Sequence, residues 1–396
     1  MNSIAKRIAE MNARVASAKE QNLYFYLQAI EKLDGPWVTV GGKRMLIFAS
    51  YSYLGLLGHP KINAAAKAAI ERYGTGTHGV RVLAGTLPLH RELEERIAAF
   101  KRAEAAIVYS SGYVTNLTTV SSLVGRNDVV ICDKLNHASI VDGCLLSRAK
   151  FLRFEHNNMK ELERILTSVD PAKSKLVVAD AVFSMDGDII NLPELSRLCK
   201  KYGAMLMIDE AHSLGVLGKT GRGIEEHFGL EGVIDVKMGT LSKCIPSVGG
   251  YIAGSKELIT YLQHTSRAFV FSAALPPAAA AAAKAALEVI EEEPGRLEAL
   301  QRNVKLFIAG LQERGFNTLN SQTPIVPIIT VDEDKAMLMT RLLQDVNIFM
   351  LPVVPPAVPV GTSRLRANVT AVHSEADIEL ALDASARAGK AIGVIP

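Results

Sequence analysis

The sequence predicts an α/β protein: a large domain on a mainly parallel sheet, followed by a smaller C-terminal α+β domain. Three observations carry this expectation. Short, near-continuously apolar runs alternate with amphipathic stretches through much of the chain, an alanine-rich segment then breaks the rhythm, and the remainder combines a strand-like run with two helical patterns. A length of 396 residues gives room for one large core and a satellite domain.

The first element is a charged helix. "MNSIAKRIAEMNARVASAKEQ" carries a charge every few residues and no apolar core of secretory length, so residues 1–55 are expected as an N-terminal helical arm. Candidate strands of the large domain, residues 56–285, are Ala105 to Ser110, Asp128 to Asp133, Lys175 to Ser184, Ala204 to Ala211 and Gly249 to Ser255. Their unbroken apolar character suits strands buried on both faces. Between two of them, Leu195, Leu198, Cys199 and Tyr202 fall at i, i+3, i+4 and i+7 behind Pro193, the pattern of a crossover helix with one buried face.

The segment "LPPAAAAAAKAALEVIEEEPGRLEAL" favours helix by propensity alone and is expected to bridge into the α+β domain, residues 286–396. There Val304, Phe307, Ile308 and Leu311 mark a helix ending at Gly315, and "PIVPIITV" reads as a strand. The proline-rich "LPVVPPAVPVG" reads as a stiff ordered loop, and Ser374 with Asp377 forms a capping box opening a final helix.

Composition removes several function classes. Hydrophobic content of 48%, charge of 21% and a net charge of +3 lack the basic excess of nucleic-acid binders. No apolar run reaches membrane-spanning length, so a cytoplasmic protein without integral membrane association is expected. Cys132, Cys144, Cys199 and Cys244 are widely separated and form no Cys-x-x-Cys pair, which fits reduced thiols and no metal site.

The stretch "LMIDEAHSLGVLGKTG" imitates a nucleotide-driven helicase, with Asp-Glu-Ala-His and then Gly-Lys-Thr. A phosphate-binding loop needs a glycine five residues before Gly218, and that position is Ser213. The order is also reversed, because such a loop precedes the acidic box in helicases. What remains is Asp209 at the C-terminal end of a buried strand, where open α/β sheets place ligands. One partner for a buried carboxylate is the positively charged ring nitrogen of a cofactor, and Lys243 in "TLSKCIPSVGGY" is suited to covalent attachment.

Eight blocks follow one another in a recognisable order: "GTGTHGVRVLAGTLPLHRELEE", "SSGYVTN", "LNHASIVDG", "VFSMDGD", "IDEAHSLGVLGKTGRG", "TLSK", "FSAALPP" and "RLRANVTAVHS". From about Tyr24 to the C-terminus the chain resembles the α-oxoamine synthases, pyridoxal 5'-phosphate (PLP) enzymes of the aminotransferase-like fold type I. The resemblance implies a seven-stranded sheet in the large domain. It also implies that Lys243 holds PLP through its ε-amine and later takes the substrate α-proton, with Asp209 paired to the pyridine nitrogen.

By the same resemblance His137 stacks on the ring face, Ser184 and His212 lie near the ring oxygen, and Gly112, Tyr113 and Thr240 hold the phosphate. Ser272 would reach the phosphate of a second subunit, which implies a homodimer with shared active sites; the adjacent position is Ala273, where relatives often carry Thr or Ser. Arg366 corresponds to the anchor for the amino-acid carboxylate. Ser52 stands where many relatives have asparagine and would help position the substrate. His78 stands where several relatives have a smaller residue and is expected to narrow the acyl entrance.

The implied reaction is a decarboxylative condensation of an α-amino acid with an acyl thioester, carried by CoA or by an acyl carrier protein. The "SYSYLG" and "PPAVPVG" blocks and the apolar "AFVFSAALPP" favour serine with a long-chain acyl-CoA, the serine palmitoyltransferase type. Alanine with a pimeloyl thioester, the glycine-using types and a carrier-protein-dependent type remain as alternatives, and a plain PLP aminotransferase is the alternative of another class.

Overall fold

The computed structural model describes residues 2–396. The chain divides into two compact units, one of Tyr51–Arg302 with Gln322–Pro324 and one of Met1–Ser50, Asn303–Ser321 and Ile325–Pro396. The boundaries expected after residues 55 and 285 stand at 50 and 302 in this division, and the N-terminal residues group with the C-terminal ones.

The larger unit is built on a seven-stranded sheet. Its spatial order is Ala105–Tyr109, Gly250–Gly254, Val236–Thr240, Met205–Asp209, Lys175–Asp180, Val129–Asp133 and Lys150–Phe154. Gly250–Gly254 runs antiparallel to both of its neighbours, and the remaining pairs are parallel. All five strands expected from apolar runs are present. Lys150–Phe154 and Val236–Thr240 were not singled out, the first because it is an edge strand whose apolar run is broken by the exposed Lys150 and Arg153 and the second because Lys237 interrupts its apolar run.

The sheet order places the site. From Val129–Asp133 the chain steps outward to Lys150–Phe154, then returns to the opposite side of Val129–Asp133 to form Lys175–Asp180. Connections therefore leave these two central strands in opposite directions, which opens a crevice at their carboxyl ends. His137, Ser184 and His212 all lie just beyond the carboxyl ends of adjacent strands.

The crossover helix expected behind Pro193 spans Leu192–Lys201, capped by the Asn191 side chain on Glu194 N, with Leu195, Leu198 and Cys199 buried. The alanine-rich helix Pro277–Glu292 lies wholly in the larger unit rather than bridging out of it, because its small side chains pack closely on helices Pro60–Tyr73 and Pro88–Phe100. Helices Gly112–Leu123 and Ala138–Ser147 also meet closely: a Cβ on Gly143 would stand 3.1 Å from Val120 Cβ.

In the smaller unit the expected helical arm is helical only over Ser3–Glu20, capped by Asn2. Residues beyond it form the strands Ile30–Asp34, Trp37–Val40 and Lys43–Ile47, joined by tight turns at Gly35 and at Gly41–Gly42, all with positive φ. Ile348–Phe349 adds to this sheet in parallel. A second sheet orders Ile325–Val331, Ser363–Asn368 and Leu351–Val353, so "PIVPIITV" is a strand and the proline-rich segment begins as one. The final helix, Glu375–Ala391, carries the Ser374–Asp377 capping box. No described helix is long and apolar enough to cross a membrane.

Candidate active site

At the carboxyl ends of the central strands lies a cavity of about 260 Å³. Asp180 and Asp209 close adjacent parallel strands and are in register with one another, so two carboxylates share its floor. Asp209 is 5% exposed. One of its oxygens accepts from Asn116 Nδ2 at 2.6 Å and the other from Ala211 N at 2.8 Å. No cationic side chain among the described residues forms an ion pair with it.

From Asp209 a chain of hydrogen bonds runs to His137. Asn116 Nδ2 also donates to Ser139 Oγ at 3.0 Å, and Ser139 Oγ lies 2.7 Å from His137 Nδ1. Ser139 N approaches the same nitrogen at 3.3 Å, which makes Nδ1 the acceptor and leaves the ring proton on Nε2. Burial pushes the His137 pKa below the usual imidazole value, with Asp209 opposing and Lys243 adding to the shift. The ring is therefore neutral at neutral pH.

Across the cavity Lys243 Nζ lies 2.8 Å from His212 Nε2, and the other nitrogen of that ring lies 2.7 Å from Tyr53 OH. With its proton on Nδ1, His212 accepts from the amine and donates to the phenol. Ser184 completes this side of the lining.

The helix Gly112–Leu123 opens onto the cavity through its N-terminus. Ser111 Oγ caps Val114 N at 3.2 Å, which leaves the first-turn amides of Gly112 and Tyr113 for an anion. A Cβ on Gly112 would stand 2.9 Å from Thr240 Oγ1, so glycine lets that hydroxyl abut the helix terminus. Thr240 Oγ1 contacts Ser242 Oγ at 2.8 Å and Gly249 O at 3.1 Å.

Eight of the residues expected at the site thus line one cavity: Gly112, Tyr113, His137, Ser184, Asp209, His212, Thr240 and Lys243. Ser52, His78 and Ser272, from the same unit, do not line it; His78 is exposed, and Ser52 Oγ accepts from Leu57 N at 3.2 Å. Arg366 is buried in the smaller unit, opposite Pro327 and Leu351 in its sheet. Asn116, Ser139, Asp180 and Tyr53 were missed as individuals. Asn116 and Ser139 sit inside the blocks "SSGYVTN" and "LNHASIVDG", and Asp180 ends its strand as Asp209 does. A larger cavity, about 760 Å³ between Arg81, Glu94, Lys256 and Phe269, holds none of the expected residues.

These residues fit PLP. A buried carboxylate held only by neutral donors matches a cationic ring nitrogen, a lysine amine stands in the same cavity, and a helix N-terminus beside a hydroxyl matches a phosphate.

Comparison with known proteins agrees. The model of the family "Aminotransferase class I and II" matches residues 43–384. An 8-amino-7-oxononanoate synthase of Geobacter sulfurreducens is 47% identical over 379 residues, covering 95% of this chain and 97% of the relative. A serine palmitoyltransferase of Bacteriovorax stolpii is 43% identical, covering 96% of this chain and 91% of that one. Among solved structures, a serine palmitoyltransferase of S. paucimobilis with a bound PLP–myriocin aldimine superposes with a TM-score of 0.96 at 34% identity, covering 100% of both chains. The chain belongs to the class I and II aminotransferase family, with the PLP fold type I. Within it the protein is an α-oxoamine synthase, a PLP-dependent enzyme acting on an amino acid and an acyl thioester.

Proposed function

We propose that the protein condenses alanine with a pimeloyl thioester, releasing carbon dioxide and the free thiol to give 8-amino-7-oxononanoate. The observation that carries this reading is the 47% identity over nearly the full length of a relative of that name. The choice of serine and a long-chain acyl-CoA drawn from the sequence blocks is thereby displaced. It stays as a second reading because a serine palmitoyltransferase at 43% identity and a TM-score of 0.96 to another also stand near this chain. Overall superposition speaks to fold, and substrate choice is set by a few side chains, so the sequence relation weighs more.

In this reading Lys243 Nζ would hold the cofactor and, as a free amine, would accept the substrate's α-proton. The cofactor, when bound, supplies an electron sink for the resulting carbanion. Asp209 holds a negative charge against the ring nitrogen, and the Asn116–Ser139–His137 chain keeps a neutral imidazole for the ring face. Ser184 and His212 serve the ring oxygen, while Gly112, Tyr113 and Thr240 take the phosphate. Arg366 binds the amino-acid carboxylate, and Ser52 helps orient that end. Ser272 serves the phosphate of a second copy in a homodimer. The α-carbon attacks the thioester carbonyl, the thiolate leaves and takes a proton from solvent, the carboxylate departs as carbon dioxide leaving its electron pair at the α-carbon, and Lys243 Nζ returns a proton to that carbon.

Thiol release measured over alanine, serine and glycine, each with acyl-CoA chains from pimeloyl to palmitoyl, tests the proposal. Alanine with pimeloyl-CoA should give the highest kcat/KM. A maximum at serine with palmitoyl-CoA would move the assignment to the second reading.

A further inference from the structure

Asp180 is a buried acid that the reaction above does not use. It is 4% exposed and lines the cavity floor beside Asp209, its in-register partner on the adjacent parallel strand. The two carboxyls are solvated very differently by the protein. Asp209 receives one hydrogen bond on each oxygen, from Asn116 Nδ2 and Ala211 N. Asp180 receives one, from His137 N to Oδ2 at 3.0 Å, and its Oδ1 is buried with no hydrogen-bond partner. Donors stabilise a carboxylate, and two like charges in a shared buried site oppose one another.

We propose that the pair carries a single negative charge, with the charge on Asp209 and a proton on Asp180, so that Asp180 is a positioning residue that stays neutral. Burial, with the Asp209 charge second, drives the Asp180 carboxyl well above the usual carboxylate range. Lys243 and the amide of His137 pull the other way, and Asp133 adds a small push in the same direction as Asp209. A neutral Asp180 does two things. It accepts the His137 amide, fixing the start of the segment that carries the imidazole, and it keeps a second anion away from the charge that Asp209 directs at the ring nitrogen. Its own amide donates to Asn136 Oδ1 at 3.1 Å, and Asn136 Nδ2 donates to Val178 O at 2.8 Å, so the strand end is held independently of the carboxyl's charge.

The consequence for catalysis rests on the site reading above, while the protonation is read without turnover. In holoenzyme labelled with 13C at the aspartyl carboxyl, one resonance should remain that of a protonated acid at pH 7.5 and vanish in D180N. The same variant, which mimics the neutral acid in shape, should keep kcat/KM within about 3-fold and leave the pH profile unchanged, whereas D180A should lose more than about 10-fold. Wild-type spectra with every aspartyl carboxyl ionised at pH 7.5 would overturn the proposal without any variant. So would a folded D180N as impaired as D180A. If the protonated resonance is present but no amino acid and thioester pair turns over, the site reading fails and the charge assignment stands.

Discussion

The floor of the cavity and its surroundings are built by different means. On the floor, Asp180 and Asp209 are buried ends of adjacent strands of the seven-stranded sheet, and each of His137, Ser184 and His212 follows such a strand end within a few residues. Backbone pairing therefore fixes where they stand. Ser52, His78 and Ser272 sit on loops, and none of them lines the cavity. A rigid sheet can hold the chemistry common to a family, while loops carry what distinguishes its members.

The comparison breaks most sharply at the charge of Asp209. D209N keeps the shape of the floor and removes the anion, so kcat/KM should fall by roughly 10^3-fold; a loss under tenfold would mean that the floor does not supply the electrostatics assigned to it. Next in size is R366A, where loss of the guanidinium should raise KM for the amino acid by about 100-fold with a smaller change in kcat. An unchanged KM would remove Arg366 from substrate binding.

A smaller effect concerns how the floor is braced. His156 bonds Asp133 through Nδ1 at 3.0 Å and Asp188 through Nε2 at 2.9 Å, linking the segment before His137 to the one after Ser184. Burial lowers the His156 pKa, but the hydrogen bonds to the two carboxylates outweigh it and hold the ring protonated up to about 10. A pKa raised on folding contributes stability that is complete below the ordinary imidazole value near 6.5 and is lost as pH climbs to about 10. H156Q should therefore lower Tm by several degrees at pH 6, with the gap to wild type closing toward pH 10. A gap independent of pH would show that the brace is not ionic. The smallest effect is expected at the exposed His78: H78A should alter the ratio of kcat/KM between pimeloyl- and palmitoyl-CoA by less than about 2-fold. A larger change would return His78 to the acyl entrance that the sequence proposed for it.

How much of this was legible in the sequence follows the same division. Asp209 could be placed because an apolar run names its strand, Lys243 was singled out as a lysine suited to covalent attachment, and the role of His137 followed only from the resemblance that the ordered blocks carry. Asp180 and Asn116 were missed although the first ends an apolar run and the second lies in the block "SSGYVTN"; their roles, like that of Tyr53, come from hydrogen-bond partners on other elements. The strand Ile30–Asp34 was hidden by a different cause: every residue in it is exposed, so no apolar periodicity marks it. The sequence blocks favoured serine where the 47% relation favours alanine, because the residues expected on the floor are the same for either amino acid.

Borohydride reduction of the holoenzyme followed by peptide mass mapping tests the central claim most directly. The account predicts a phosphopyridoxyl group on Lys243 and on no other lysine. Attachment at another lysine, or none after incubation with PLP, would contradict it.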